Sequence, residues 1–257
     1  TRNKIIKDEL LVLKEKYGDE RRTEIIKDYK EFALEDIIAE EDVVVTISHG
    51  GFIKRFPVSG YRRQGRGGKG VTGAGTKEDD FIEHMFVAST HQYILFFTDK
   101  GRCYWLKVHE VPEGGRTARG RSVVNLLDKD KDDNITAFVA VKEFREDQYL
   151  IMATQKGTIK KTVLAAYGNV RKGGINAINL AAGDSLIEVK MTDGKNDIVI
   201  GTSHGFAIRF NEKDVRDMGR TATGVRGVRL GKGDHVVGLL VIRNDQTTVL
   251  VVTEKGF

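Results

Sequence analysis

The sequence predicts an all-β, propeller-like fold of repeated four-stranded blades behind a short α-helical arm. Three observations carry this. Five short apolar runs each end in a small turn: VVVTISHGG (43–51), ILFFTDKG (94–101), LIMATQKG (150–157), IVIGTSHG (198–205) and VLVVTEKG (249–256). Their closing glycines, Gly51, Gly101, Gly157, Gly205 and Gly256, follow at steps of 50, 56, 48 and 51 residues. Two further landmarks keep register with them: a glycine at Gly70, Gly120, Gly174 and Gly224, and an aspartate at Asp80, Asp133, Asp184 and Asp234. A period near 50 with several short strands per unit means propeller blades, because one blade cannot bury both its faces and neighbours must stack.

The elements follow in order. Over residues 1–17, Ile6, Leu10, Leu13 and Tyr17 recur at helical spacing on one face, and Gly18 follows as a C-terminal cap. Residues 19–41 read as a charged connector, with a short strand at Arg22–Ile26 and a helical turn near Leu34–Ile38. The arm therefore spans 1–41 and the blades 42–257, as four units and the start of a fifth. In each unit a β-rich run, a turn with Gly supplying positive φ and a second β-rich run make a hairpin. The fifth unit stops just past its hairpin glycine, so the pattern predicts a protein that continues beyond Phe257.

Composition narrows the class. No run of 18 apolar residues and no signal-peptide pattern occurs, and a single cysteine, Cys103, leaves no intrachain disulfide. A soluble, cytoplasmic protein with no membrane partner is expected. The net charge of +5 hides an asymmetry: residues 1–42 hold 9 basic against 13 acidic side chains, whereas Lys54 to Lys77 hold seven cations and no acid. A basic body on an acidic arm points to a polyanionic partner.

Candidate catalytic and metal motifs fail on context. Gly65, Gly67 and Gly70 spell G-x-G-x-x-G, but the following VTGAGT is helix-poor and no acid lies near position 90. A Walker loop fails too, with Arg63 where its first glycine should be and Gly70 where Ser or Thr must meet magnesium. The run DKDKDDNI (128–135) imitates a calcium loop, yet Asp133 stands where Gly is needed and Val139 where a bidentate Glu is needed. The histidines are scattered. No metal, cofactor or active site is expected in this stretch.

What recurs is basic side chains at matched places. Just after the hairpins come Lys54 and Arg55, then Arg102 and Lys107, then Lys160 and Lys161, then Arg209. Near the second glycine come Arg66 and Lys69, with Arg62 and Arg63 just upstream, then Arg116, Arg119 and Arg121, then Arg171 and Lys172, then Arg220 and Arg226. Equivalent blade positions fall on one rim, so repeated cations predict a curved positive belt suited to duplex DNA, the other reading being a solvated rim. Glycine beside arginine lets backbone N–H groups approach a phosphate.

Residues 43–257 resemble the C-terminal β-pinwheel domain of bacterial DNA gyrase A. QGRGGKG, that is Gln64, Gly65, Arg66, Gly67, Gly68, Lys69 and Gly70, is similar to the family's gyrase box, usually Q-R-R-G-G-K-G, with Gly65 in place of the first Arg. EDVVVTISHGGFIKRFPVSGYR before the box, RKGGINAINL at 171–180 and the helix KDELLVLKEKYGDERRTEI also look like this family. The resemblance implies blades that exchange strands and a basic perimeter that wraps double-stranded DNA. It implies work with DNA gyrase B and the rest of DNA gyrase A, in an A2B2 heterotetramer of the bacterial nucleoid. ATP and magnesium then serve the whole enzyme, and the catalytic tyrosine lies outside this stretch. The corresponding C-terminal domain of topoisomerase IV is the related alternative. A protein-interaction propeller is the alternative of another class, and it would need exposed aromatics at the blade tops.

Overall fold

A computed structural model of the chain describes residues 2–19, 23, 37–61, 66, 80–130, 132–169, 171, 173–244, 246 and 248–253. Two units separate, 1–37 and 38–257. In the first, α1 (Arg2–Tyr17) carries its apolar residues exposed and ends where the Gly18 amide reaches the Lys14 carbonyl at 2.8 Å. All but Thr23 of the expected strand at Arg22–Ile26, and most of the expected turn at Leu34–Ile38, fall outside the described residues.

The second unit repeats one pattern. The first repeat holds β1 (Asp42–Ser48), β2 (Phe52–Pro57) and β3 (Ile82–Ser89). The second holds β4 (Tyr93–Thr98), β5 (Arg102–Lys107), β6 (Arg121–Ser122) and β7 (Ile135–Val141). The third holds β8 (Tyr149–Thr154), β9 (Thr158–Val163), β10 (Ile175–Asn176) and β11 (Leu186–Thr192). The fourth holds β12 (Asp197–Thr202), β13 (Ala207–Asn211), β14 (Val225–Arg226) and β15 (Val236–Ile242). Residues 249–253 form no strand, so a fifth hairpin is not present among the described residues.

The hairpin turns form for a local reason. Gly51, Gly101, Gly157 and Gly205 have φ of 73°, 76°, 85° and 83°, a region that side chains other than hydrogen rarely enter. Each glycine amide donates to the carbonyl three residues back, at Ser48, Thr98, Thr154 and Thr202. The landmark aspartates staple these turns: Asp80 takes the Gly50 amide, Asp184 that of Lys156 and Asp234 that of His204, at 2.8, 2.9 and 3.0 Å. The second repeat reverses the staple. There Asp99 accepts from the Asn134 backbone, and Asp133 meets the Lys100 ammonium at 2.9 Å.

Stacking explains the unbroken apolar runs. In β4, Ile94 and Phe96 enter the core with Val43, Val45 and Ile47 of β1, while Leu95 and Phe97 enter the next with Leu150 and Met152 of β8. The other residues of β8, Ile151 and Ala153, pack with Ile198 and Ile200 of β12. A strand whose two faces are both buried needs apolar residues at every position, not at alternate ones.

The sheets themselves run β3-β1-β2-β6, β10-β5-β4-β7, β11-β8-β9-β14 and β13-β12-β15. Each of the first three blades is thus closed by a two-residue strand from the following repeat. The second glycine landmark makes this seat possible. Gly120 and Gly224 have φ of 85° and 107°, and a Cβ on them would lie 2.4 Å from the Ile53 carbonyl oxygen and 2.6 Å from that of Ile159. Gly224→Ala should therefore lower unfolding free energy by roughly 1–3 kcal/mol, combining a strained φ with lost strand contact. Equilibrium urea denaturation measures this, and an unchanged midpoint would show the exchanged strand to be dispensable.

Candidate nucleic-acid interface

In the first and third blades the cations that follow the hairpin lie on the second strand, beneath the segment arriving from the next repeat, whereas Arg209 lies on β13 of the three-stranded fourth sheet. Their placement corrects the expectation of a continuous external belt. Lys54 is 2% exposed, and its Nζ donates to the carbonyls of Gly115, Arg116 and Ala118 at 3.2, 2.5 and 2.6 Å. Lys160 is wholly buried and donates to the carbonyls of Ala177, at 2.6 Å, and Arg220. Lys161, also buried, reaches the Glu212 carbonyl at 3.1 Å and the Asp217 carboxylate at 3.0 Å. Half-buried Arg55 donates to the Val111 carbonyl at 2.9 Å and pairs with Glu113 at 3.2 Å. Arg209 is exposed but paired with Asp197 at 2.7 Å.

The physical reason is a demand for donors. An incoming loop brings carbonyls that its own backbone does not satisfy, and a buried acceptor without a partner costs about 1–3 kcal/mol. An ammonium supplies three donors at one point and a guanidinium five. Burial first, then the neighbouring Arg220 guanidinium, lowers the Lys160 pKa to about 8. Lys54 is lowered by burial as well. In the second blade Arg102 takes this task, donating to the Gly173 carbonyl at 2.6 Å.

The cations near the second glycine are placed differently. Arg121 and Arg226 stand exposed on the exchanged strands β6 and β14. Arg119 is exposed and stacks over the Phe52 ring, its guanidinium carbon 3.6 Å from the ring centroid. Arg116 and Arg220 are half-buried, and Arg171 and Arg66 exposed. Because β6, β10 and β14 occupy the same edge of three successive sheets, most of these arginines lie along one repeated edge. Arg62, Arg63, Gln64, Gly65, Gly67, Gly68, Lys69, Gly70 and Lys172 lie outside the described residues.

Among the described residues nothing resembles a reaction centre. Cys103 is buried and burial pushes its thiol far up, away from the nucleophilic thiolate. Among the described residues no three His, Cys, Asp or Glu side chains converge as a metal would need. At the hairpin turns, burial pushes the Asp234 carboxyl up, but bonds from Ser203, His204 and His235 outweigh it and hold the pKa at about 2. That aspartate is a turn staple. The arginine edge is the surface with chemistry to offer.

A signal for this site lies in plain view and escapes a search for charge alone. The hexapeptide GRTARG at 115–120 returns as GRTATG at 219–224, one copy in each of the two loops that cover Lys54 and Lys160.

The comparisons agree with this architecture. A family model described as the DNA gyrase C-terminal domain, beta-propeller, matches residues 42–89, 92–141, 148–193 and 196–243. The DNA gyrase A protein of Halalkalibacterium halodurans is 51% identical over 224 residues, which is 87% of this chain and 27% of that protein. A crystal structure of the C-terminal domain of DNA topoisomerase IV aligns with a TM-score of 0.69 and 31% identity, over 80% of this chain and 63% of that one. A structure of the DNA gyrase A C-terminal domain aligns at 0.61 and 26%, over 79% and 66%. The chain thus spans little more than a quarter of its full-length relative.

Proposed function

The chain belongs to the DNA gyrase C-terminal domain family, and from that premise we propose that it binds duplex DNA through its phosphates and bends it across successive blades. The observation that carries this reading is the line of arginines, exposed or half-buried, on or beside the exchanged strands: Arg116, Arg119, Arg121, Arg171, Arg220 and Arg226. Guanidinium groups suit phosphates, and contacts to phosphate give affinity without sequence readout. Arg66, within the box-like stretch, extends the same chemistry to the first repeat.

In this proposal the chain is the DNA-wrapping part of a DNA gyrase A polypeptide. It acts in the bacterial cytoplasm beside the rest of that polypeptide and DNA gyrase B, in an A2B2 assembly that introduces negative supercoils. Strand cleavage, ATP and magnesium belong to other parts of that enzyme. Among the described residues no helix is long and apolar enough to cross a membrane. The likeness in shape to the topoisomerase IV domain keeps a decatenating enzyme as the second reading.

Bending is directly measurable. A duplex of about 30 base pairs labelled at both ends should show shortened end-to-end distance on binding, although smooth bending by 40–90° costs on the order of 1–6 kcal/mol. Binding with unchanged energy transfer would refute wrapping. Closing a relaxed plasmid in the presence of the chain then reports the sense of the wrap as a change in linking number.

A further inference from the structure

We propose that Lys54 and Lys160 are positioning residues for the DNA site: each ammonium is buried under a GRTA loop, binds its carbonyls and fixes where its arginines point. The inference rests on the DNA reading above and assigns these lysines a role other than contact with phosphate.

The pairing of lysine with loop carries the argument. Blades one and three receive the loops containing GRTARG and GRTATG, and these two blades have lysine under the loop. Blade two receives the different loop RKGGIN and has Tyr104 at the equivalent place, with the ring against Gly174. The lysine accompanies the hexapeptide within one chain. Around Lys54, carbonyls of three of four consecutive residues, Gly115, Arg116 and Ala118, converge on one ammonium. The Gly115 carbonyl also accepts from the Ala118 amide at 3.0 Å. Without the cation, however, the Arg116 and Ala118 carbonyls lose this donor and the converging dipoles repel one another, so the loop must swing toward water and carry Arg116, Arg119 and Arg121 with it.

Lys160 extends the connection. It binds Arg220 of the loop lying on its own blade and Ala177, which follows the exchanged strand lying on the blade before. One side chain therefore ties two successive exchanged segments together. Salt bridges of Arg55 with Glu113 and of Lys161 with Asp217 fasten the outer parts of the same loops.

The test is a double-mutant cycle on binding to a mixed-sequence duplex of about 30 base pairs. Arg116→Ala should weaken binding about tenfold when Lys54 is present, as loss of one charge-assisted contact would. In the Lys54→Met background the same change should cost less than about twofold, because the arginine is already misplaced. Independent, multiplying effects would mean that Lys54 meets phosphate itself, and would overturn the proposal. So would a Lys54→Met protein with full affinity and an undiminished Arg116→Ala effect, the result for a lysine that serves stability alone. Amide exchange over 113–122 provides a readout without DNA: it should rise in Lys54→Met while β1 and β4 stay protected, and unchanged exchange overturns the latch. If Arg116→Ala has no effect beside native Lys54 while exchange still rises, the DNA reading of this loop fails and the latch remains. Should Lys54→Met fail to fold, Lys160→Met with Arg220→Ala is the same cycle at the second copy.

Discussion

Affinity of this chain for mixed-sequence duplex DNA should fall about 10³-fold between 50 and 200 mM salt, as about six phosphate contacts require. Each phosphate neutralised releases condensed counterions, so log affinity falls with log salt at about −0.9 per contact, here a slope of roughly −5. The number of contacts comes from the arginines left wholly or partly exposed beside the exchanged strands, not from all the basic residues of the repeats. Had Lys54, Lys160 and Lys161 also stood on the rim, the slope would be steeper by about 3. A titration series by fluorescence anisotropy therefore decides between the two arrangements as well as testing the site. A slope near zero would remove the phosphate-binding edge altogether. Arg121→Ala should flatten the slope by about 1, while substitutions on α1 should leave it unchanged.

The difference between those two slopes marks what the sequence discloses. The hairpins are legible because their cause is local: a turn that needs positive φ must contain Gly51, Gly101, Gly157 and Gly205, and the steps between them expose the repeat. The aspartate landmark is legible for the same reason, since Asp80, Asp184 and Asp234 bind amides of their own repeat's turn. Strand exchange is another matter. The strands β6, β10 and β14 are two residues long, too short for any periodicity, and their partners lie in the preceding repeat. Gly120 and Gly224 are visible as landmarks, but what demands glycine there is a carbonyl oxygen of Ile53 or Ile159, some 65 residues away.

Charge misleads by the same mechanism. In a strand buried on both faces, alternation no longer separates inward from outward side chains, so Lys160 and Lys161 give no sign that both are buried. Only the incoming loop, with its unsatisfied carbonyls, turns a basic residue into an interior one. The sequence feature that reports this is the repeated GRTA loop rather than the lysines themselves.

The box-like stretch offers the largest expected effect in a complete enzyme. Arg66→Ala combined with Lys69→Ala should reduce supercoiling at least about tenfold, since each lost charge-assisted contact is worth about 1.5–3 kcal/mol. On the proposed reading, relaxation and decatenation should stay within about twofold, because strand cleavage and passage would then belong to other parts of the enzyme and need no wrap of defined sense. Arg66 is exposed, so its truncation removes charge without opening a cavity. Gly65 stands where the family's box has its first arginine, which leaves Arg66 and Lys69 as the cations of the heptapeptide and concentrates the effect on them. Gly65→Arg should then raise DNA affinity, and raise supercoiling if affinity for the wrap limits it. Equal loss of all three activities in the double variant would assign the stretch to stability instead of wrapping. Loss of decatenation alone would favour the topoisomerase IV reading.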